Sequence, residues 1–80
     1  MDMENLVKMA NQIGDFYASY PDQQEASREI AGHLKKFWAP RMRSQLLDFV
    51  DRQHGEGLSA ILLSSISSHR KILQPDAAGA

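Results

Sequence analysis

The 80-residue sequence contains no cysteine, and this absence excludes several kinds of site. Without thiols the chain forms no disulfide, ligates no iron–sulfur cluster through cysteine and builds no thiolate zinc site. Long hydrophobic runs are also missing, since the longest continuous apolar stretch is Ala60 to Leu63 and a membrane-spanning helix needs about 20 apolar residues. The residues that follow Met1 are acidic and lead into no apolar run. We therefore expect neither secretion nor membrane insertion, and a cytoplasmic location.

A strong charge of one sign is lacking as well. Nine Lys and Arg residues face ten Asp and Glu residues, so the net charge of -1 provides no global field for nucleic acid or an anionic membrane. Residues 30–47 contain no acid and form one local basic patch with interleaved aromatics, consisting of Lys35, Lys36, Phe37, Trp38, Arg41 and Arg43. Such a pattern can hold single-stranded nucleic acid, but four cations give weak, salt-sensitive binding. The acidic surface of a partner protein is the favoured target, and no nucleic-acid partner is expected.

Patterns typical of catalysis or metal binding are also missing. The histidines His33, His54 and His69 are 21 and 15 residues apart, and none has a partner at an established zinc spacing. No Gly-x-Ser-x-Gly turn is present, and Gly55 and Gly57 lack the Gly-Lys-Ser/Thr ending of a phosphate loop. We therefore expect no catalytic residue, no metal site and no cofactor-binding residue in this chain.

Apolar residues recur at spacings of three and four, which predicts an all-α fold. A first amphipathic helix is expected within residues 3–20, and Pro21 ends it because proline disfavours helical geometry in the preceding residue. Asp22 and Glu25 resemble a capping box that begins a second helix. The apolar stripe of this second helix is expected to consist of Ala26, Ile30, Leu34 and Phe37.

The second half of the chain is expected to add one or two helices. Pro40 suits the first position of a third helix, which should end near residue 53 with Gly55 as its cap. Ser59 can cap a fourth segment over residues 58–73, but serines there compete for backbone hydrogen bonds, so this segment needs a surface to order against. The prediction is a small three- to four-helix bundle, with residues 1–74 as a single helical domain and residues 75–80 as a disordered tail.

The segment from Phe37 to Arg43 combines the only tryptophan, a helix-breaking proline and two arginines. Aromatic residues, Met and Arg are enriched where proteins bury surface against one another, and Trp and Arg are common hot-spot residues. The usual burial of their residue types also predicts core packing for Phe37 and Met42. From this segment we predict a partner-binding surface that consists of Phe37, Trp38, Pro40, Arg41, Met42 and Arg43.

Three blocks of sequence, taken in order, carry a family resemblance. They are LVKMANQIGDFY from Leu6 to Tyr17, IAGHL from Ile30 to Leu34, and FWAPRMR from Phe37 to Arg43. Together they resemble the delta subunit of NAD-dependent molybdenum formate dehydrogenase over roughly residues 5–50. The chain has Ala39 where that family often has Asp, and the region after Gly57 resembles the family little.

The resemblance implies a non-catalytic accessory subunit of a cytoplasmic complex that oxidises formate and passes electrons through iron–sulfur clusters and flavin to NAD. It places every cofactor in other subunits. It also implies that this chain supports assembly or stability of the large catalytic subunit, which carries bis-molybdopterin guanine dinucleotide. On this hypothesis the first two helices present Phe37, Trp38, Arg41 and Arg43 to that subunit, and Trp38→Ala lowers complex yield while the domain stays helical.

Other functional classes remain open from the residues alone. One is a free-standing helical adaptor or homodimer, in which the apolar face of residues 58–73 pairs with its own copy. Another is a weak nucleic-acid binder that uses the basic patch. An enzyme in its own right is the least favoured, because the sequence presents no site for one.

Overall fold

The computed structural model describes residues 2–75, in which five helices form one small bundle. The helices are α1 (Met3–Tyr17), α2 (Gln23–Phe37), α3 (Pro40–Gln53), α4 (Ala60–Ser68) and α5 (Arg70–Leu73). No strand occurs within residues 2–75, which confirms the all-α class. Apart from Pro75, the tail expected at residues 75–80 lies outside the described residues.

Aspartates cap the first two helices, and the Asp22 cap and Pro40 at the start of α3 confirm the predictions made from the sequence. The Asp2 side chain accepts a hydrogen bond from the Asn5 amide at 2.8 Å and begins α1. The Asp22 side chain accepts from the amides of Gln24 and Glu25, which caps α2. Both carboxylates satisfy amides that a helix leaves unpaired in its first turn.

Helix α1 ends three residues earlier than the expected limit at residue 20. The Tyr20 amide donates to the Tyr17 carbonyl at 3.0 Å, which closes a turn in place of a further helical turn. The Gln23 side chain also donates to the Tyr20 carbonyl, at 3.2 Å. These bonds tie residues 18–22 into a tight connection, so α2 can fold back against α1.

The corner after α3 depends on backbone with positive φ. His54 ends the helix with φ of 60°, and Gly55 follows with φ of 65°, so two consecutive residues take the left-handed conformation. A side chain at Gly55 would be strained and would also collide with Leu63. The expected Gly55 cap is thus part of the turn, but His54 takes the capping position itself.

The core lies around α2, which packs against α1, α4 and α5, while α3 packs on α1 and α5. Its members are apolar residues from all five helices and from the two loops that flank α3 and α4. Those buried are Leu6, Ala10, Ala26, Ile30, Ala31, Leu34, Trp38, Leu46, Leu47, Phe49, Leu58, Leu62, Ile66 and Leu73.

The serine-rich fourth segment is helical because it packs against α2. The buried Ser65 hydroxyl donates to the Ser27 carbonyl of α2 at 2.6 Å. Leu62 and Ile66, on the same face of α4, are fully buried. The surface that this segment needs is therefore supplied by the chain itself. Among the described helices, none is long and apolar enough to cross a bilayer.

Candidate protein-interaction surface

The structure divides the predicted partner-binding segment into a buried part and an exposed part. Trp38 and Arg43 each keep only 6% of their surface exposed, whereas Phe37 is 65% exposed. Pro40 and Arg41 are exposed and Met42 is half-buried against the core. Whether the set binds a partner stays a prediction, but Trp38 and Arg43 contribute to the interior of this chain.

Arg43 joins the α2–α3 corner to the C-terminal helix. Its Nε donates to the Trp38 carbonyl at 3.3 Å, and its Nη1 donates to the Leu73 carbonyl at 3.2 Å. A guanidinium carries five N–H donors in a fixed plane, so it can bond two carbonyls at once while its stem packs among apolar groups. The buried arginine therefore holds α5 against the rest of the bundle.

The core role predicted for Phe37 is wrong. The buried stripe of α2 runs through Ile30 and Leu34 and continues four residues later to Trp38, because the Trp38 amide still bonds to the Leu34 carbonyl at 2.9 Å. Phe37 lies one residue before that position and is turned outward. Met42 keeps its predicted contact with the core.

An apolar groove lies between α1 and α2, next to Phe37. It has a volume of about 580 Å³. Most of its lining is apolar or aromatic, and it includes the buried Trp38. The lining residues are Met9, Gln12, Ile13, Phe16, Tyr17, His33 and Trp38.

Aromatic rings continue across this groove from one helix to the other. We call Phe16, Tyr17, Tyr20, His33 and Phe37 the aromatic surface. The Tyr17 ring centroid lies 4.9 Å from Phe16 and 6.4 Å from His33, and the His33 centroid lies 4.7 Å from Phe37. Phe16 is 68% exposed. Two exposed phenylalanines, Phe16 and Phe37, within one apolar patch are unusual for a surface that contacts only solvent.

A second concavity, of about 440 Å³, is polar and lies between the start of α2 and the end of α4. Ser64, Ser68 and His69 line it, opposite Gln23 and Arg28. No hydrogen bond joins a serine hydroxyl to the imidazole among residues 2–75, and such a bond is what activates a serine nucleophile. Nor does this part of the chain hold a group of three or more potential metal ligands.

A comparison with protein-family models identifies the family. One model matches residues 5–66 of the 80, and its description is NADH-dependant formate dehydrogenase delta subunit FdsD. The chain belongs to this family. The match to the delta-subunit family extends beyond the resemblance at residues 5–50 and includes most of α4. Neither curated proteins nor solved structures gave a match.

Family membership makes the chain part of an oxidoreductase complex, with a catalytic subunit as its partner. The aromatic surface is a candidate for contact with that partner. Of its members only Phe37 was predicted from the sequence, whereas Phe16, Tyr17, Tyr20 and His33 were not. The signal for this surface was the pair of aromatics in α1, Phe16 and Tyr17, beside the predicted turn. Both lie within the predicted amphipathic first helix, but spacing alone does not indicate where the neighbouring helix stops covering them.

Proposed function

We propose that this delta-subunit family member is a non-catalytic accessory subunit that docks on the large catalytic subunit of its formate dehydrogenase and supports assembly or stability of that subunit. The docking region is the apolar groove together with the aromatic surface. The observation that carries the proposal is the exposure of Phe16 and Phe37 on one face of a chain whose family belongs to a complex. A few residues dominate the binding free energy of protein interfaces, and aromatic residues including Phe are enriched in interface cores.

The proposal changes which residues of the 37–43 segment meet the partner. Phe37 remains in contact, and exposed Arg41 remains available beside it. Trp38 contributes mainly as a buried residue that lines the groove, since only 6% of its surface is exposed. Arg43 contributes indirectly, because it holds the corner from which Phe37 projects.

The structure argues against the homodimer alternative, because most of the apolar face proposed as the dimer interface is buried within the chain. It required the apolar face of residues 58–73, and Leu58, Leu62, Ile66 and Leu73 of that face are buried within the chain itself. Self-association through the aromatic surface is instead a possible outcome of the experiment below.

The test is co-purification from the native host with an affinity tag on this chain. We expect the wild-type chain to recover the large subunit with formate-dependent NAD reduction. The double variant Phe16→Ser/Phe37→Ser should recover about tenfold less, or lower still, because two interface anchors are lost. Ile72→Ser is the matched control, since Ile72 is an exposed apolar residue, 43% accessible, that does not line the groove.

Equal recovery by the double variant and the wild type would exclude the aromatic surface as the docking region. Recovery of this chain with only its own copies would contradict the accessory function.

A further inference from the structure

No contact within residues 2–75 explains why position 32 is a glycine. It lies in the middle of α2 and is exposed, and a Cβ added there would meet nothing within 4 Å. Its backbone is ordinary helix, so no positive φ requires glycine. Glycine inside a helix is less stable than alanine, because the unfolded chain loses more freedom on folding. No close packing among the described residues compensates for that loss of helix stability.

Gly14 provides a comparison within the same fold. A Cβ at Gly14 would collide with the Leu62 side chain of α4 and would crowd Ile61 at 3.3 Å. Glycine there lets α4 approach α1 closely, so the loss of helix stability accompanies better packing. At Gly32 no atom of residues 2–75 fills the space that a Cβ would occupy, so another molecule can approach the backbone there.

The surroundings of Gly32 define the chemistry of what could approach. Lys36 lies one turn after Gly32 on the same face of α2, and its Nζ is 5.6 Å from the ring centroid of Phe37, which belongs to the aromatic surface. The charged residues three or four positions from Gly32 on α2 are Arg28, Glu29, Lys35 and Lys36. Three cations against one acid favour an acidic partner segment.

We propose that Gly32 is the point of closest approach for a helix of the large catalytic subunit, which crosses the outer face of α2. This helix places apolar residues against Phe37 and an acidic residue beside Lys36. Packed helices usually have an interaxial distance of about 8–10 Å. The absence of a side chain at Gly32 lets the axes of these two helices come closer than that. This inference rests on the proposed function and specifies which helix face performs it.

The test compares substitutions at Gly32 in the tagged full-length chain. Gly32→Ala and Gly32→Gln should each raise the melting temperature of the purified chain by about a few degrees, because alanine and glutamine are both better helix formers than glycine. Recovery of the large subunit should nevertheless fall, modestly for Ala and about tenfold for Gln, because the larger side chain blocks the approach. Ser44→Gln, at an exposed position of α3, is the control and should leave recovery unchanged.

The charge at the end of this face is tested separately with Lys36→Glu. Recovery should fall at low salt and return partly at high salt, since salt screens the repulsion between two acids. No loss at low salt would overturn the acidic assignment for the partner helix.

The outcomes separate this inference from the proposed function. Full recovery of the large subunit by Gly32→Gln would overturn the inference and leave the accessory function standing. Failure of the wild-type chain to recover the large subunit, or recovery of its own copies alone, would overturn both. Lower recovery by a variant that melts below the wild type would reflect misfolding and would also count against the inference, which requires the stabler chain to bind more weakly.

Discussion

At the scale of single residues, the 37–43 segment separates two functions that residue type alone does not distinguish. Trp and Arg are favoured at interface hot spots, but a tryptophan can also fill a core and an arginine can bond buried carbonyls. Here Trp38 and Arg43 are buried and Phe37 is exposed. The position along the helix decides between the two functions. Trp38, the C-cap of α2, lies four residues after Leu34 and so continues the covered face of the helix.

Trp38→Ala should therefore destabilise the chain. Loss of a buried aromatic side chain typically costs about 3–5 kcal/mol of unfolding free energy, which is a large part of the stability of an 80-residue domain. Denaturant unfolding of the purified chain, followed by circular dichroism, measures it. Phe37→Ala is the control and should change the unfolding free energy by less than about 0.5 kcal/mol. A stable, fully helical Trp38→Ala chain would return Trp38 to the interface assignment made from the sequence.

Arg43→Met tests the carbonyl contacts of the buried guanidinium. Methionine keeps the apolar stem but leaves the Trp38 and Leu73 carbonyls without their donor, so we expect a loss of about 1–3 kcal/mol. The loss should appear as a lower denaturant midpoint and as faster amide exchange in α5. Arg41→Met, which changes an exposed arginine in the same helix, should have almost no effect on either measurement. Equal effects of the two substitutions would contradict the structural role of Arg43.

At the scale of elements, a side chain of α1 positions the loop before α4. Asn11 Nδ2 donates to the Gly57 carbonyl and its Oδ1 accepts from the Ser59 amide, both at 2.9 Å. Ser59 precedes the first residue of α4, and its own hydroxyl is buried without a hydrogen-bond partner within the described chain. The start of α4 is therefore held by Asn11 rather than by the serine cap that the sequence suggests.

Asn11→Ala should loosen this loop. Both hydrogen bonds are lost, and we expect a cost of about 1–2 kcal/mol of unfolding free energy, with most of the change local. Amide hydrogen exchange at Ser59 should speed up markedly, while exchange in the middle of α2 changes only with global stability. Gln12→Ala changes the next residue, which is exposed, and serves as the control. Unchanged protection of the Ser59 amide in Asn11→Ala would show that the loop is held by other contacts.

The existence of the helices and the starts of α2 and α3 could be predicted from the sequence because they depend on local chemistry. Pro40 and Asp22 mark their helices without reference to the rest of the fold. Tertiary features could not be predicted in the same way. The exposure of Phe37, the outward-facing Phe16 and the division between α4 and α5 at His69 depend on how neighbouring helices cover one another. The groove has the same origin, since its lining comes from residues up to 29 positions apart.

At the scale of the whole molecule, the bundle uses most of its apolar residues in its own core and leaves one aromatic surface open. The core draws on all five helices, while Phe16 and Phe37 stay exposed on the α1–α2 side. A chain that belongs to the delta-subunit family of a formate dehydrogenase has a catalytic subunit available to cover that side. We therefore predict that the chain acts by binding the catalytic subunit through its α1–α2 face.

The most direct test is to delete the gene for this chain in its native host and measure formate-dependent NAD reduction together with the amount of intact large subunit. We predict that both fall, that the wild-type chain restores them, and that the Phe16→Ser/Phe37→Ser variant does not, although its circular dichroism spectrum stays helical. Undiminished activity and subunit levels without the chain, or full restoration by that variant, would contradict the account.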